Sequence, residues 1–328
     1  MEELSRRYDS ATITFWTGRT PTIWLNDCWS AAELFDKRQQ NYCSRPRLVV
    51  LGDLIGGHNM VTMKYGERWR LHRKLTHTVV GKHRMRGYAT FQDDESKVAA
   101  MALLESPEAH ERHFQRFAAS TVAIVATGRR IDSIHDPLVV DVLATATEAG
   151  ESIVPGKGFP IIMETFPILA KIPPIPQIFQ AAINKGGNLY YDMAVRASQQ
   201  SDDSFAKHLI ETETPRHDLV PDEIGALVGN LFGAGTDTTS STIASFVLAC
   251  CAFPETLQPA LEELDGVVGQ QRSPSTQDAE RLPYTSAFVK EVFRWRPVSV
   301  LGGQPHAPLH DDHYRVRASD SHARALAE

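Results

Sequence analysis

From Ile224 to Phe253 the chain carries one charge, Asp237. At 1.5 Å per residue, a helix over this run would span about 45 Å. A helix that long and apolar crosses a bilayer or threads the middle of a helical protein. Thr236 to Thr242 are polar without interruption and occupy the centre of the run. The bilayer centre is the costliest place for them and for the aspartate. The pattern therefore predicts a long buried helix in a mainly α protein. Pro221-Asp222-Glu223 open it, with Asp222 as the N-cap.

The flanking segments fit that class. From about Gln92 to Gly150 the apolar spacing is mostly helical, with Phe114, Phe117, Thr121 and Val125 three and four apart. Helices resume near Asn188. Pro283 and Pro297 bracket another, with Phe288, Val292 and Trp295 on one face. Ser30 is placed to cap a helix that begins AAELFDKR. A small β portion is expected as a hairpin over 11–25, turning at Gly18-Arg19-Thr20-Pro21, and as a strand near residue 300. Residues 154–178 are apolar but hold Pro155, Pro160, Pro167, Pro173, Pro174 and Pro176, which no regular helix survives. That stretch reads as a buried connector, or as a lip over a binding site or a membrane-touching surface.

Composition removes several functions. With 42% hydrophobic and 23% charged residues, the chain is neither disordered nor fibrous. Its net charge of -6 comes without a basic block, which argues against a nucleic-acid partner. Cys28, Cys43, Cys250 and Cys251 form no C-x-x-C pair and no disulfide framework. Cys250 and Cys251 read as core residues of the long helix. No apolar stretch follows Met1-Glu2-Glu3, so neither a signal peptide nor an N-terminal anchor is expected.

Three clusters carry chemistry. Trp69 and Arg73 lie four apart, so on a helix they share a face; they form an anion grip or a surface Trp–Arg stack. Ala234-Gly235-Thr236-Asp237-Thr238-Thr239 places small residues beside an acid and a hydroxyl. This is a ligand site in a helix loosened by back-bonding hydroxyls, or a notch for helix packing. Glu291 and Arg294, three apart, form a surface ion pair or a more buried one.

Taken in order, YGERWRLHRK, AGTDTT, LPYTSAFVKEVFRWRPV and GGQPHAPLHDDHYR resemble the cytochrome P-450 haem-thiolate monooxygenases, in particular the fungal microsomal type. The resemblance covers most of residues 8–315 and implies a mainly α, P-450-like helical fold with a small β portion, incomplete at both ends. It implies that Trp69, Arg73 and His306 bind haem propionates, that Asp237 and Thr238 deliver protons during dioxygen activation, and that Glu291 and Arg294 form a structural pair. The implied cofactor is haem. The implied partners are an NADPH-dependent flavoprotein reductase and an apolar small-molecule substrate of the secondary-metabolite kind. Full-length members sit at the endoplasmic reticulum membrane.

The family's cysteine loop, which supplies thiolate to the iron, does not follow the Glu291–Arg294 helix, and no cysteine follows Cys251. Residues 1–315 are thus expected to be a partial P-450 domain and 316–328 a tail foreign to the family. The chain itself is expected to be inactive and without an anchor, its compartment cytoplasmic or undetermined. The alternative is a non-catalytic remnant or a helical protein that binds apolar ligands. A metal site from His306, His310, His313, Asp311 and Asp312 is disfavoured, because Pro305 and Pro308 break any helical spacing.

Overall fold

The long apolar run forms a single helix, α5 (Pro221–Ala252). Its start differs from the expectation. Val220 is the N-cap and Pro221 the first helical residue. A proline is suited to that position because its missing N–H would have no helical partner there. Valine has no side-chain acceptor, so the cap comes from Glu223, whose Oε2 accepts the Val220 N–H at 3.2 Å. Asp222 therefore lies inside the first turn.

The computed structural model describes residues 2–17, 20–45, 49–55, 57–142, 144, 162–163, 165–200 and 203–298. Besides α5, the helices of thirteen residues or more among them are α1 (Glu67–Val80), α2 (Ala89–Glu105), α3 (His110–Thr127), α4 (Ile175–Ser198), α6 (Pro254–Val267) and α7 (Pro283–Trp295). The chain divides into two compact units. Of the described residues, one holds those up to 72 and 162–185, the other 73–144 and 186–298.

In the first unit, β1 (Thr12–Thr17) and β2 (Thr20–Leu25) form the expected antiparallel hairpin. Gly18 and Arg19 lie outside the described residues. Thr20 and Pro21 belong to the strand rather than the turn, with Pro21 opposite Trp16. A two-stranded sheet has only edges, where a proline's missing donor is tolerated. The short helix Cys28–Ala32 is capped by Asp27, which accepts the Ser30 N–H at 2.7 Å, and not by Ser30. Aspartate reaches the orphan N–H one turn ahead of a serine already in the helix.

Of the proline-rich stretch, residues 154–161 and 164 lie outside the described residues. The rest forms a turn at Pro167–Lys171, and helix α4 starts at Ile175, earlier than expected. Pro176 falls in the first turn, where proline is tolerated. The stretch is a buried connector in part only. Met163 and Ala170 pack in a core with Val49 and Val50, whereas Ile162, Phe166, Ile168 and Ile172 are exposed.

The second unit is helical. The expected continuous helical region breaks at Ser106-Pro107 into α2 and α3. The buried face of α3 is built largely from small residues, among them Ala118, Ala119, Ala123 and Ala126, with Phe114 beside them. Phe117, Thr121 and Val125 are only partly buried. Small residues let α5 come close. A Cβ added at Gly235 would overlap the Val122 side chain of α3, and one at Gly225 would stand 2.7 Å from the Gly187 carbonyl oxygen of α4. Tyr190 of α4 stacks on Phe232 of α5 at 5.9 Å between ring centres, and burial pushes its phenol up to about 12.

Helices α5, α6 and α7 share a second core of Ala249, Ala260, Phe288 and Val292. Phe246–Phe288 and Phe253–Trp295 ring contacts at 5.2 and 5.5 Å extend it. Each such aromatic pair adds about 0.5–1.5 kcal/mol beyond burial. The packed face expected on the last helix is thus present. Glu263 of α6 caps α7, accepting the Tyr284 and Thr285 N–H groups at 2.9 and 2.8 Å. No single described helix is long and apolar enough to cross a membrane; α5 and α6 pass that test only as a pair bent by 108°.

Candidate active site

The middle of α5 is not buried all round, contrary to the expectation. Gly233, Ala234, Asp237, Thr238 and Ser241 are exposed, while Leu231, Phe232, Thr236 and Ser240 are buried. At about 100° per residue the exposed set falls on one stripe. The two readings of the AGTDTT segment therefore separate by face. Gly235 is the packing notch, against α3. Ala234, Asp237 and Thr238 stand on the open side, an acid and a hydroxyl beside a surface with almost no side-chain bulk.

The hydroxyls bond back to the helix, as their sequence predicts. Thr238 Oγ1 donates to the Ala234 carbonyl at 2.5 Å, and Thr242 Oγ1 to the Thr238 carbonyl at 2.8 Å. Ser240 Oγ donates to the Thr236 carbonyl at 3.0 Å. The expected loosening is absent: α5 runs unbroken from Pro221 to Ala252. Back-bonding leaves the Thr238 oxygen able to accept a hydrogen bond from outside the helix.

Sequence reasoning passed over Asn230 on the same stripe. It lies four residues before Ala234 and seven before Asp237, a spacing that was available in the sequence. Its Nδ2 is buried without a hydrogen-bond partner.

Trp69 and Arg73 are both on α1, four residues apart. The Trp69 indole N–H is donated to the Met60 carbonyl at 3.1 Å, and its ring packs on Tyr65 at 5.3 Å. Arg73 is exposed and makes no ion pair among the described residues. His306 lies outside the described residues, as do GGQPHAPLHDDHYR, the strand expected near residue 300, residues 316–328 and the His306/His310/His313 group.

Glu291 and Arg294 pair on α7. Arg294 Nε donates to both carboxylate oxygens at 3.0 and 2.9 Å, and Nη2 to Oε1 at 2.5 Å. The Glu291 hydrogen bond and charge raise the Arg294 pKa above its ordinary value. The carboxylate is largely covered, whereas the guanidinium is mostly in solvent. Of the two cysteines at the end of α5, Cys250 joins the α5–α6–α7 core, and burial pushes its thiol up. Cys251 is exposed, against its reading as a core residue.

Comparison with known proteins shows what this arrangement belongs to. The cytochrome P-450 family profile matches residues 1–315. A cytochrome P-450 monooxygenase of Armillaria gallica is 32% identical over 95% of the chain, and monooxygenase 113 of Postia placenta is 34% identical over 86%. The chain spans 61% and 57% of their lengths, about three fifths of each. Among solved structures, a zebrafish cytochrome P-450 determined with progesterone matches 90% of this chain and 70% of its own, with a TM-score of 0.72 at 19% identity. With the helical framework of that fold, the open stripe on the long helix and a family match over most of its length, the chain belongs to the cytochrome P-450 family.

Proposed function

We propose that this chain carries the oxygen-side helix of a haem-dependent monooxygenase that inserts one atom of dioxygen into an apolar small molecule. The observation that carries the reading is the α5 stripe, where Asp237 and Thr238 stand exposed beside Gly233 and Ala234. A face without bulk suits a flat macrocycle, and Arg73, exposed and unpaired among the described residues, suits a propionate. Trp69 would have to release the Met60 carbonyl before it could help.

Haem would supply the redox chemistry, with electrons drawn from an NADPH-dependent flavoprotein reductase. Asp237 and Thr238 would hold and pass protons on the stripe, the carboxylate exchanging with solvent and the hydroxyl oxygen accepting a hydrogen bond while its own proton is donated to the Ala234 carbonyl. The thiolate that the family supplies to haem is a different matter. Cys250, twelve residues beyond Thr238 on the same helix, is about 18 Å away along the axis and packed in a core. Neither cysteine of α5 fits the role of thiolate beside the stripe, and we assign that role to no residue of this chain. The 328 residues alone are accordingly proposed to bind haem without running the reaction. The exposed Ile162, Phe166, Ile168 and Ile172 support the membrane-touching reading of the proline-rich stretch.

The test is a haem titration followed by a reduced carbon-monoxide difference spectrum. Haem uptake with the band of non-thiolate ligation is expected, and Ala234→Trp, which fills the stripe, should abolish uptake. A thiolate-type band would overturn the cysteine assignment. Uptake unchanged by Ala234→Trp would overturn the stripe.

A further inference from the structure

The segment that leads into α5 holds a side-chain cluster that the haem reading does not use. It runs as an α-helical turn (Phe205–His208), a π-helical turn (Leu209–Glu213) and a second α-helical turn (Thr214–His217). Phe205 and Ala206 are buried where the first turn meets α3 and α5. Pro215 has no N–H to give the Glu211 carbonyl, and Thr214 Oγ1 donates to the Leu209 carbonyl at 2.8 Å, so the chain accepts the wider turn. In an α-helix, residues five apart point about 140° away from each other. A π-helical turn closes on residues five apart and brings them onto one face. It sets His208 beside Glu213, and His217 follows Glu213 at the four-residue spacing of ordinary helical neighbours.

Both imidazoles converge on one carboxylate. His208 Nε2 stands 3.1 Å from Glu213 Oε1, and His217 Nε2 stands 3.3 Å from Oε2. Glu213 is buried, and Arg216, the permanent cation beside it, is 3.4 Å away and mostly in solvent. A charge-assisted hydrogen bond is shorter, about 2.7–2.9 Å. An imidazole supplies countercharge only when protonated. The buried carboxylate is therefore poorly compensated, and a buried charge is costly until it is paired. Ligand atoms at 2.0–2.1 Å around a tetrahedral zinc ion stand about 3.3 Å from one another, and both imidazole–carboxylate spacings match that. Two histidines and a glutamate are a donor set that zinc takes, with the fourth position left to water. The rings of His208 and His217 are half-buried, which leaves the ion a way in.

We infer that His208, Glu213 and His217 bind a divalent cation of the zinc class, which pins the segment ahead of α5. None of the three belongs to the α5 stripe, and the site does not depend on haem. Each ring carries its proton on Nδ1 and offers the Nε2 lone pair, the carboxylate supplies the charge, and Arg216 turns to solvent.

The experiment titrates zinc chloride into the full 328-residue chain, stripped with chelator, and follows the heat of binding. Wild type, His208→Ala, His217→Ala and Glu213→Gln are compared with His135→Ala, an exposed histidine outside the cluster. Each protein is also melted with and without zinc. One zinc equivalent should weaken in each of the three cluster variants and stay unchanged in His135→Ala. Losing a ligand should cost at least the roughly 10–100-fold in affinity that an outer partner of a metal site is worth. Zinc should raise the melting temperature of wild type, because it binds the folded chain, and the rise should vanish in the cluster variants. Magnesium, which prefers oxygen ligands, should not displace the zinc.

A wild type that takes up no zinc overturns the inference, as do cluster variants that bind zinc as wild type does. Displacement by magnesium would show a carboxylate acting without the histidines, and would also overturn it. So would cluster variants that melt lower without zinc yet keep the full rise with it, because the trio would then be a hydrogen-bonded brace and not a metal site.

Discussion

Glu95 offers the sharpest test of the helical unit. Its carboxylate is 1% exposed and accepts Arg116 Nη1 at 2.7 Å and Arg130 Nε at 2.6 Å. Arg116 is 5% exposed and also donates to the Ile131 carbonyl at 3.0 Å. The three side chains tie α2 to α3 and to the segment after it. Glu95→Ala would leave the Arg116 guanidinium buried with only carbonyl partners. Breaking a buried pair from one side typically costs about 3–5 kcal/mol. At about 2 °C per kcal/mol for a large chain, the melting temperature should fall by roughly 6–10 °C. The assay is thermal denaturation followed by far-ultraviolet circular dichroism. Replacing both partners, as in Glu95→Leu with Arg116→Met, should recover most of the loss, since apolar pairs of similar volume often substitute for buried ion pairs without cost. A single variant within 1 °C of wild type would refute the reasoning. A double variant no better than the single would show that the loss comes from packing and not from charge.

Three further outcomes follow from the structure. Gly225→Val should destabilise the chain by about 1–3 kcal/mol in urea unfolding, because its side chain meets the Gly187 carbonyl oxygen across the α5–α4 contact. Glu291→Gln should cost less than about 1 kcal/mol in the same assay, because Arg294 is largely in solvent.

Acid should destabilise the protein through two carboxylates. The Arg272 fork, the Ser275 N–H and Arg281 hold Asp278 well below the usual carboxylate range. Burial opposes ionisation of Glu263, but the Thr285 and Tyr284 N–H donors outweigh it and lower that pKa too. Depressed folded values mean that this stability is fully present above the ordinary carboxylate range and is lost as pH falls through the folded values. Melting temperatures taken from pH 7 to pH 3 should fall at the acid end, and Asp278→Asn should flatten that fall while lowering the plateau.

Much of the framework was legible in the sequence because it depends on local rules. The apolar run marked α5, the bracketing prolines marked α7 to within a residue, and β-branched and aromatic residues marked both strands of the hairpin. Caps were less legible. Serine, aspartate and glutamate can each serve an orphan N–H, and only the backbone path chose Asp27 over Ser30 and Glu223 over Asp222. The partners of Glu95 stand 21 and 35 residues away, beyond any helical period.

Residue order by itself determined that the chain is helical, where its longest helix runs, and which residue types could carry protons or pair as ions. Periodicity and proline placement suffice for that, since they act within a few residues along the chain. The tertiary structure decided which side of α5 is which. Gly235 went to the packed side because Val122 of α3 leaves no room for a Cβ, and Ala234, Asp237 and Thr238 were turned outward with it. It also spent the Trp69 donor on the Met60 carbonyl and left the Asn230 amide unpaired. Those outcomes depend on neighbours brought together by packing, and a one-dimensional pattern does not contain them.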